Sequence, residues 1–174
     1  MFNNYKSMTG NIARITFNSV QLRMYDTIPF TNQHHIHILP RQCGSSLFVK
    51  WYSLLLHNQN KKFKIFVHNH NMVRETINDM SKLVDINNDL NMNYNDMKNS
   101  VLSIGSNLSG MIDSNIDTIF FDNTLFTDPQ QRKINDIIDL LLPFSSKATI
   151  HIINTPHVTL EPSIKRLNYN IVTY

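Results

Sequence analysis

A single cysteine, four glycines and little charge are what this 174-residue chain has least of. The lone thiol, Cys43, excludes a disulfide within the chain and suits a reducing compartment. Charged residues make up 17% against 41% apolar, which fits a globular protein, and heavy use of Asn fills the polar share and hints at an AT-rich genome. No stretch approaches the roughly 20 apolar residues of a membrane span. The start, Met1-Phe2-Asn3-Asn4-Tyr5-Lys6, lacks the apolar core of a secretory signal. The expectation is a soluble, intracellular chain with no membrane contact.

Lys and Arg number 16 against 13 Asp and Glu, a net charge of +3, with a pI near 9.0. Apart from Lys61-Lys62-Lys64 they are scattered. Contact with DNA is allowed, but a dedicated DNA-binding domain concentrates its cations more. The length suits one domain spanning 1–174, with an N-terminal extension at 1–20 and a polar, Asn-rich surface excursion at 85–100 that has room for one short helix. There are no internal repeats.

Short apolar runs at 36–39, 63–67, 116–121 and 148–153 read as buried strands. Between them lie helical patterns. Residues 46–57 carry Leu47, Trp51, Leu54 and Leu55 on one side; residues 71–84 place Val73, Ile77, Met80 and Val84 at helical spacing. Residues 128–142 are the clearest helix, with Thr127 or Asp128 to cap it, Pro129 in the first turn, a stripe of Ile134, Ile137, Ile138 and Leu141, and Pro143 to stop it. The alternation predicts a three-layer α/β domain with a mostly parallel central sheet.

Ligands bind such sheets beyond the carboxyl ends of the strands. Two loops there are informative. Leu39-Pro40-Arg41-Gln42-Cys43-Gly44-Ser45-Ser46 runs from a strand into a helix, the placement of a phosphate-binding loop. The usual spacing puts Lys at position 45, where this chain has Ser45; Ser46 keeps a hydroxyl for Mg²⁺, and the motif's first glycine is absent. A chance strand–turn–helix with Gly-Ser-Ser would look the same. The second, Ile119-Phe120-Phe121-Asp122-Asn123, closes an apolar strand on an Asp able to hold Mg²⁺. Asn123 stands where a catalytic Glu would orient water, and an amide cannot accept that proton at neutral pH. An Asp capping the loop after a buried strand is the plain alternative.

Read in order, these segments resemble the ATPase domain of the large terminase subunit of tailed bacteriophages. Gln21-Leu22-Arg23-Met24-Tyr25-Asp26 looks like its adenine-contacting segment, with Asp26 where that family favours Gln. Arg41, Gln42 and Gly44 match its Arg-Gln-x-Gly-Lys-Thr loop. Lys64-Ile65-Phe66-Val67-His68-Asn69 is similar to its next strand–helix unit, and 119–123 to its strand ending in Asp-Glu. Residues 148–156, with Asn154 and Thr155, look like the strand ending in Thr-Thr-Pro that couples hydrolysis to movement. Gly110 stands near the family's Gly before the Asp-Glu strand.

The resemblance spans about 21–157 and implies a P-loop NTPase-like fold. It implies ATP and Mg²⁺ as ligands, with Arg41, Gln42, Gly44, Ser45, Ser46 and Asp26 at the nucleotide and Ser46 and Asp122 at the metal. It implies partners among phage packaging or other viral proteins, in the host cytoplasm. The chain departs from the family at Ser45 and Asn123, and no nuclease domain follows before Tyr174.

The family's Lys neutralises charge as the γ-phosphoryl group leaves, which Ser45 cannot do. Losing Lys and Glu together removes several kcal/mol of transition-state stabilisation. The expectation is a catalytically impaired domain with a binding or regulatory role in viral DNA packaging, holding nucleotide weakly or not at all. Two rivals stand beside it: an active packaging ATPase using Arg41, Lys50 or a residue in trans, and a ligand-free interaction protein whose loop is closed by side chains such as Arg41. Lys50, on the flank of the next helix, is a poor substitute for the missing Lys.

The pairs His35/His37 and His68/His70 each sit two apart, a spacing that can serve zinc on a strand. They lack identifiable partners and fall at strand ends, so no zinc is expected. Cys43 lies beside a helix start that would lower a thiol pKa, but without a histidine partner it reads as a small loop filler. Phe48, Trp51 and Tyr52 read as the face of their helix packed on the sheet.

Overall fold

A computed structural model describes residues 3–6, 12–15, 17–28, 33–106, 115–122, 128–141, 148–155 and 169–174. The expectations placed on Gly110, Asn123, Thr127, Pro143 and Pro156, and on the side chains of Asp128, Pro129 and Leu141, lie outside the described residues.

The chain opens with a two-stranded antiparallel ribbon, β1 (Asn3–Lys6) and β2 (Ile12–Ile15). Helix α1 (Ser19–Thr27) follows, then β3 (His34–Ile38), α2 (Ser45–Asn58), β4 (Phe63–Val67), α3 (His70–Ile86), α4 (Tyr94–Ser100), β5 (Val101–Ser103), β6 (Thr118–Asp122), α5 (Asp128–Leu141), β7 (Thr149–Asn154) and β8 (Tyr169–Thr173). Strands β3 to β8 form one six-stranded sheet in the order β5-β4-β6-β7-β3-β8. Every pairing described in it is parallel.

Why parallel follows from the strands themselves. Strands β4 and β6 are buried at every position, so neither face meets water and both need helical cover. Alternation then sorts the side chains. Phe63, Ile65, Val67, Phe120 and Ile153 join Phe48, Val49, Trp51 and Leu54 of α2 and Ile77 and Met80 of α3 in one core. Ile36, Phe66, Ile119, Phe121, Ile150 and Ile152 join Ile134, Ile137 and Ile138 of α5 in the other. Each fully buried Phe or Ile contributes about 1.5–3 kcal/mol relative to exposure. These are the three layers expected from the alternation.

Several boundaries move. The run at 116–121 becomes a strand only from Thr118, where its pairing with Phe63 of β4 begins. The run at 36–39 extends back to His34, so His35 and His37 lie inside β3, not at its end. The pair His68/His70 shares no strand: β4 ends at Val67 and His70 starts α3. Within 1–20 lie the ribbon and the start of α1. The Asn-rich stretch at 85–100 is anchored more than its polarity suggests, since Leu90, Met92 and Met97 are buried. Among the described residues, no helix is long and apolar enough to cross a membrane.

Candidate functional site

The loop from β3 to α2 opens at the carboxyl ends of β3 and β7. Leu39 is buried after β3 and its N–H donates to the carbonyl of Asn154 at 2.9 Å. The chain then turns through Gln42 at φ 59° and Gly44 at φ 77°, both left-handed. Gly44 is the N-cap of α2 and offers no side-chain cap. The first N–H groups of a 14-residue helix therefore face the loop without a side-chain acceptor at the cap, the arrangement that suits an anion.

Helix α1 holds this loop from outside. Asn18 and Gln21 form a capping box: Asn18 Oδ1 accepts from the Gln21 N–H, and Gln21 Oε1 accepts from the Asn18 N–H. Both amide oxygens are thus used, which leaves both amide nitrogens to donate. Asn18 Nδ2 donates to the Cys43 carbonyl at 2.8 Å, and Gln21 Nε2 to the Gly44 carbonyl at 3.0 Å. A methyl group on Gly44 would lie 2.6 Å from Gln21 Nε2. Two side chains of one cap thereby fix the turn before α2.

Behind the loop, Ser46 Oγ donates to Asp122 Oδ1 at 3.0 Å. The contact brings the first turn of α2 against the last residue of β6, across the intervening β7. Asp122 is buried, and burial pushes its carboxyl above the usual range, while the Ser46 hydroxyl and the Lys50 charge pull it back. Lys50 itself points away to α3, where Nζ meets Asp79 Oδ2 at 2.8 Å. Leu39 to Leu47, with Asn154 and Thr155, line a cleft of about 400 Å³.

The sequence-derived residues distribute as follows. Arg41, Gln42, Gly44, Ser45 and Ser46 line the cleft, with Arg41 and Gln42 exposed. Asn154 is buried at the end of β7, and Thr155, half-buried, follows it. Asp26 is exposed near the end of α1; the side chain of that helix that reaches the loop is Gln21. Cys43 is half-buried against the core beneath α2. Phe48, Trp51 and Tyr52 are all buried there, so that face of α2 is core. Sequence reasoning placed Gln21 in the right segment but missed Asn18, although Asn18-x-x-Gln21 before an apolar position is the signal of a capping box.

A six-stranded parallel sheet flanked by helices, with a glycine-turned loop feeding a helix and an Asp-ended strand behind it, has the architecture of a P-loop NTPase-like fold. Several helicase structures are similar to it. It superposes on the UvsW helicase from bacteriophage T4 with a TM-score of 0.66 and 13% identity, covering 99% of this chain and 64% of that one. A hypothetical ATP-dependent RNA helicase from Sulfolobus tokodaii gives 0.59 and 16%, covering 92% and 53%. The Hef helicase domain of Pyrococcus furiosus gives 0.58 and 10%, covering 88% and 37%. At these identities the likeness is one of fold, and it supports a P-loop NTPase-like fold without singling out terminases. The chain spans 64% or less of each of these three helicases. No protein-family model and no curated protein sequence matches it.

Proposed function

We propose that this domain binds a Mg²⁺–nucleotide in the β3–α2 cleft, hydrolyses it poorly if at all, and serves a nucleic-acid motor as a binding or regulatory part. The terminase-like order of motifs favours a viral DNA-packaging setting, with packaging proteins as partners and DNA within reach of the mildly basic surface. The observation that carries the reading is the Ser46–Asp122 bond beside an open helix start, with an uncharged Ser45 where such a loop usually carries Lys.

The donor set fits. Backbone N–H groups from Gln42 to Ser46 would meet phosphate oxygens, and Ser46 and Asp122 would hold Mg²⁺, with Asp122 acting through water. The cation supplies charge neutralisation at the phosphates. Arg41 is the remaining loop cation. Asn154 and Thr155 line the same cleft at the end of β7, so that strand would feel whether the cleft is filled. The exposure of Arg41 counts against a loop closed by its own side chains, and the Lys50–Asp79 ion pair counts against Lys50 as a stand-in for the missing Lys.

Titration calorimetry with ATP–Mg²⁺, run beside a phosphate-release assay with and without DNA, tests this. Weak binding that disappears in Asp122→Ala, without turnover, is the expected result. Robust turnover lost in Asp122→Ala would overturn the impairment; absence of binding into the millimolar range would overturn the nucleotide site. Ser45→Lys is expected to tighten binding roughly tenfold or more, and only Ser45→Lys combined with Asn123→Glu to raise hydrolysis.

A further inference from the structure

The core beneath α2 contains three histidines that the nucleotide site does not use. His35 and His37 point to the same face of β3, and His151 of β7 is the register partner of His35. Their residues are 2%, 0% and 0% exposed. The rings form a compact group: His35 and His151 stack at 5.4 Å and 2°, and His37 lies 5.3 Å from His151. One ring nitrogen from each lies within 4.8 Å of the others. His37 Nε2 and His151 Nδ1 are 3.1 Å apart, and His37 Nδ1 is 2.8 Å from the Tyr174 hydroxyl. His151 Nε2 is buried with no hydrogen-bond partner among the described residues.

We propose that His35, His37 and His151 form a binding site for a late first-row transition metal of the Zn²⁺ class, which staples β3 to β7. A hydrogen-bonded pair of neutral imidazoles accounts for the contact between His37 and His151, but not for the convergence of a nitrogen from a third buried ring, His35, on the same point. A metal held by one nitrogen of each ring accounts for that convergence. Tetrahedral zinc with bonds of about 2.0–2.1 Å sets ligand nitrogens roughly 3.3 Å apart. One pair already stands at 3.1 Å, and the remaining ligand nitrogens, within 4.8 Å of one another, would have to draw in by side-chain rotation as the metal binds. Burial holds the rings neutral, the form a metal requires, with His37 lowered to about 3. With the metal on His37 Nε2, its Nδ1–H donates to Tyr174 and fixes the ring, the outer-shell partner such ligands commonly have. Three histidines leave one tetrahedral position for water.

The staple sits just before the ends of the two strands that frame the cleft, where Leu39 N–H meets the Asn154 carbonyl. It does not depend on nucleotide binding. The site is enclosed, so metal is supplied during refolding as well as to the folded chain.

The test is Co²⁺ and Zn²⁺ titration of the full chain, followed by visible absorption and by metal content after dialysis. Expected are one equivalent per chain, the intense visible bands of tetrahedral Co²⁺, displacement by Zn²⁺, and a higher unfolding temperature that chelator reverses. His35→Gln, His37→Gln and His151→Gln should each abolish the bands, Tyr174→Phe should weaken affinity roughly 10-fold, and His68→Gln should leave it unchanged. Should a Gln variant fail to fold, zinc-edge absorption on the wild-type chain decides alone: scattering from three imidazoles supports the site. A folded wild-type chain without stoichiometric metal, bands that survive all three Gln variants, or an edge spectrum lacking imidazole overturns it.

Discussion

The two faces of the sheet are built from different materials. Under α5 the central strand side chains are Ile36, Phe66, Ile119, Phe121, Ile150 and Ile152, which only need to exclude water. Under α2 the same strands present His35, His37, His151 and Asp122 among aromatic rings. Strand β7 shows the contrast within three residues, with Ile150 and Ile152 on one side and His151 on the other. One face holds the fold, while the other accepts buried polar groups that cost stability unless something compensates them. Both candidate sites lie on that second face because α2 begins in the loop and then covers it.

The contrast predicts its largest effect on the α5 side. Phe121 is fully buried and stacks on Phe66 at 5.1 Å. Phe121→Ala should lower unfolding free energy by about 3–5 kcal/mol in urea titrations. Nucleotide affinity of the remaining folded protein should be unchanged, since Ser46 and Asp122 meet on the other face. A matching loss of affinity would show the two faces to be coupled.

Gly44→Ala comes next, at about 1–2 kcal/mol. Its φ of 77° strains any other residue, and the added methyl forces Gln21 Nε2 to withdraw from the Gly44 carbonyl. Here affinity should fall together with stability. A double-mutant cycle with Gln21→Ala should be less than additive, because removing Gln21 relieves the clash but not the backbone strain.

A stabilising change should be found on the same face. The native carboxyl of Asp122 holds its proton more tightly than an unfolded one, because burial disfavours the charge. Stability from this group is therefore present at low pH and lost as pH rises through its native pKa. Asp122→Asn keeps an oxygen to accept from Ser46 and removes the charge, so the unfolding midpoint at neutral pH should rise while Mg²⁺-dependent binding disappears. A drop in the midpoint would mean that the carboxylate is well compensated.

How much of this was legible beforehand depends on how local each signal is. The central strands and helices α2, α3 and α5 are written in apolar runs and helical stripes, and their ends shifted by at most two residues. The loop's place between β3 and α2 could be read, as could Ser45 at the position where a phosphate-binding loop carries Lys. What could not be read is pairing across the sheet. In the sequence His151 is one polar residue within an apolar run, and only the β3–β7 register sets it against His35. Edge strand β8 buries none of its residues fully and is defined by its pairing with β3. The ribbon β1–β2 lies within the N-terminal extension, where no strand was anticipated.

The smallest effect should come from Lys50, and it separates the proposed impaired domain from an active one. Its ammonium is tied to Asp79 on α3, an acceptor still 43% exposed, so solvent screens much of the attraction. Lys50→Met keeps most of the buried stem and should change stability by less than about 1 kcal/mol. Asp79 has Lys82 at 3.6 Å as a second cation, which limits the loss further. If Lys50 supplied the charge that Ser45 lacks, the same substitution would lower nucleotide affinity tenfold or more at unchanged stability. The ion pair argues for the first outcome, because a side chain drawn toward α3 would have to abandon Asp79 before it reached the cleft.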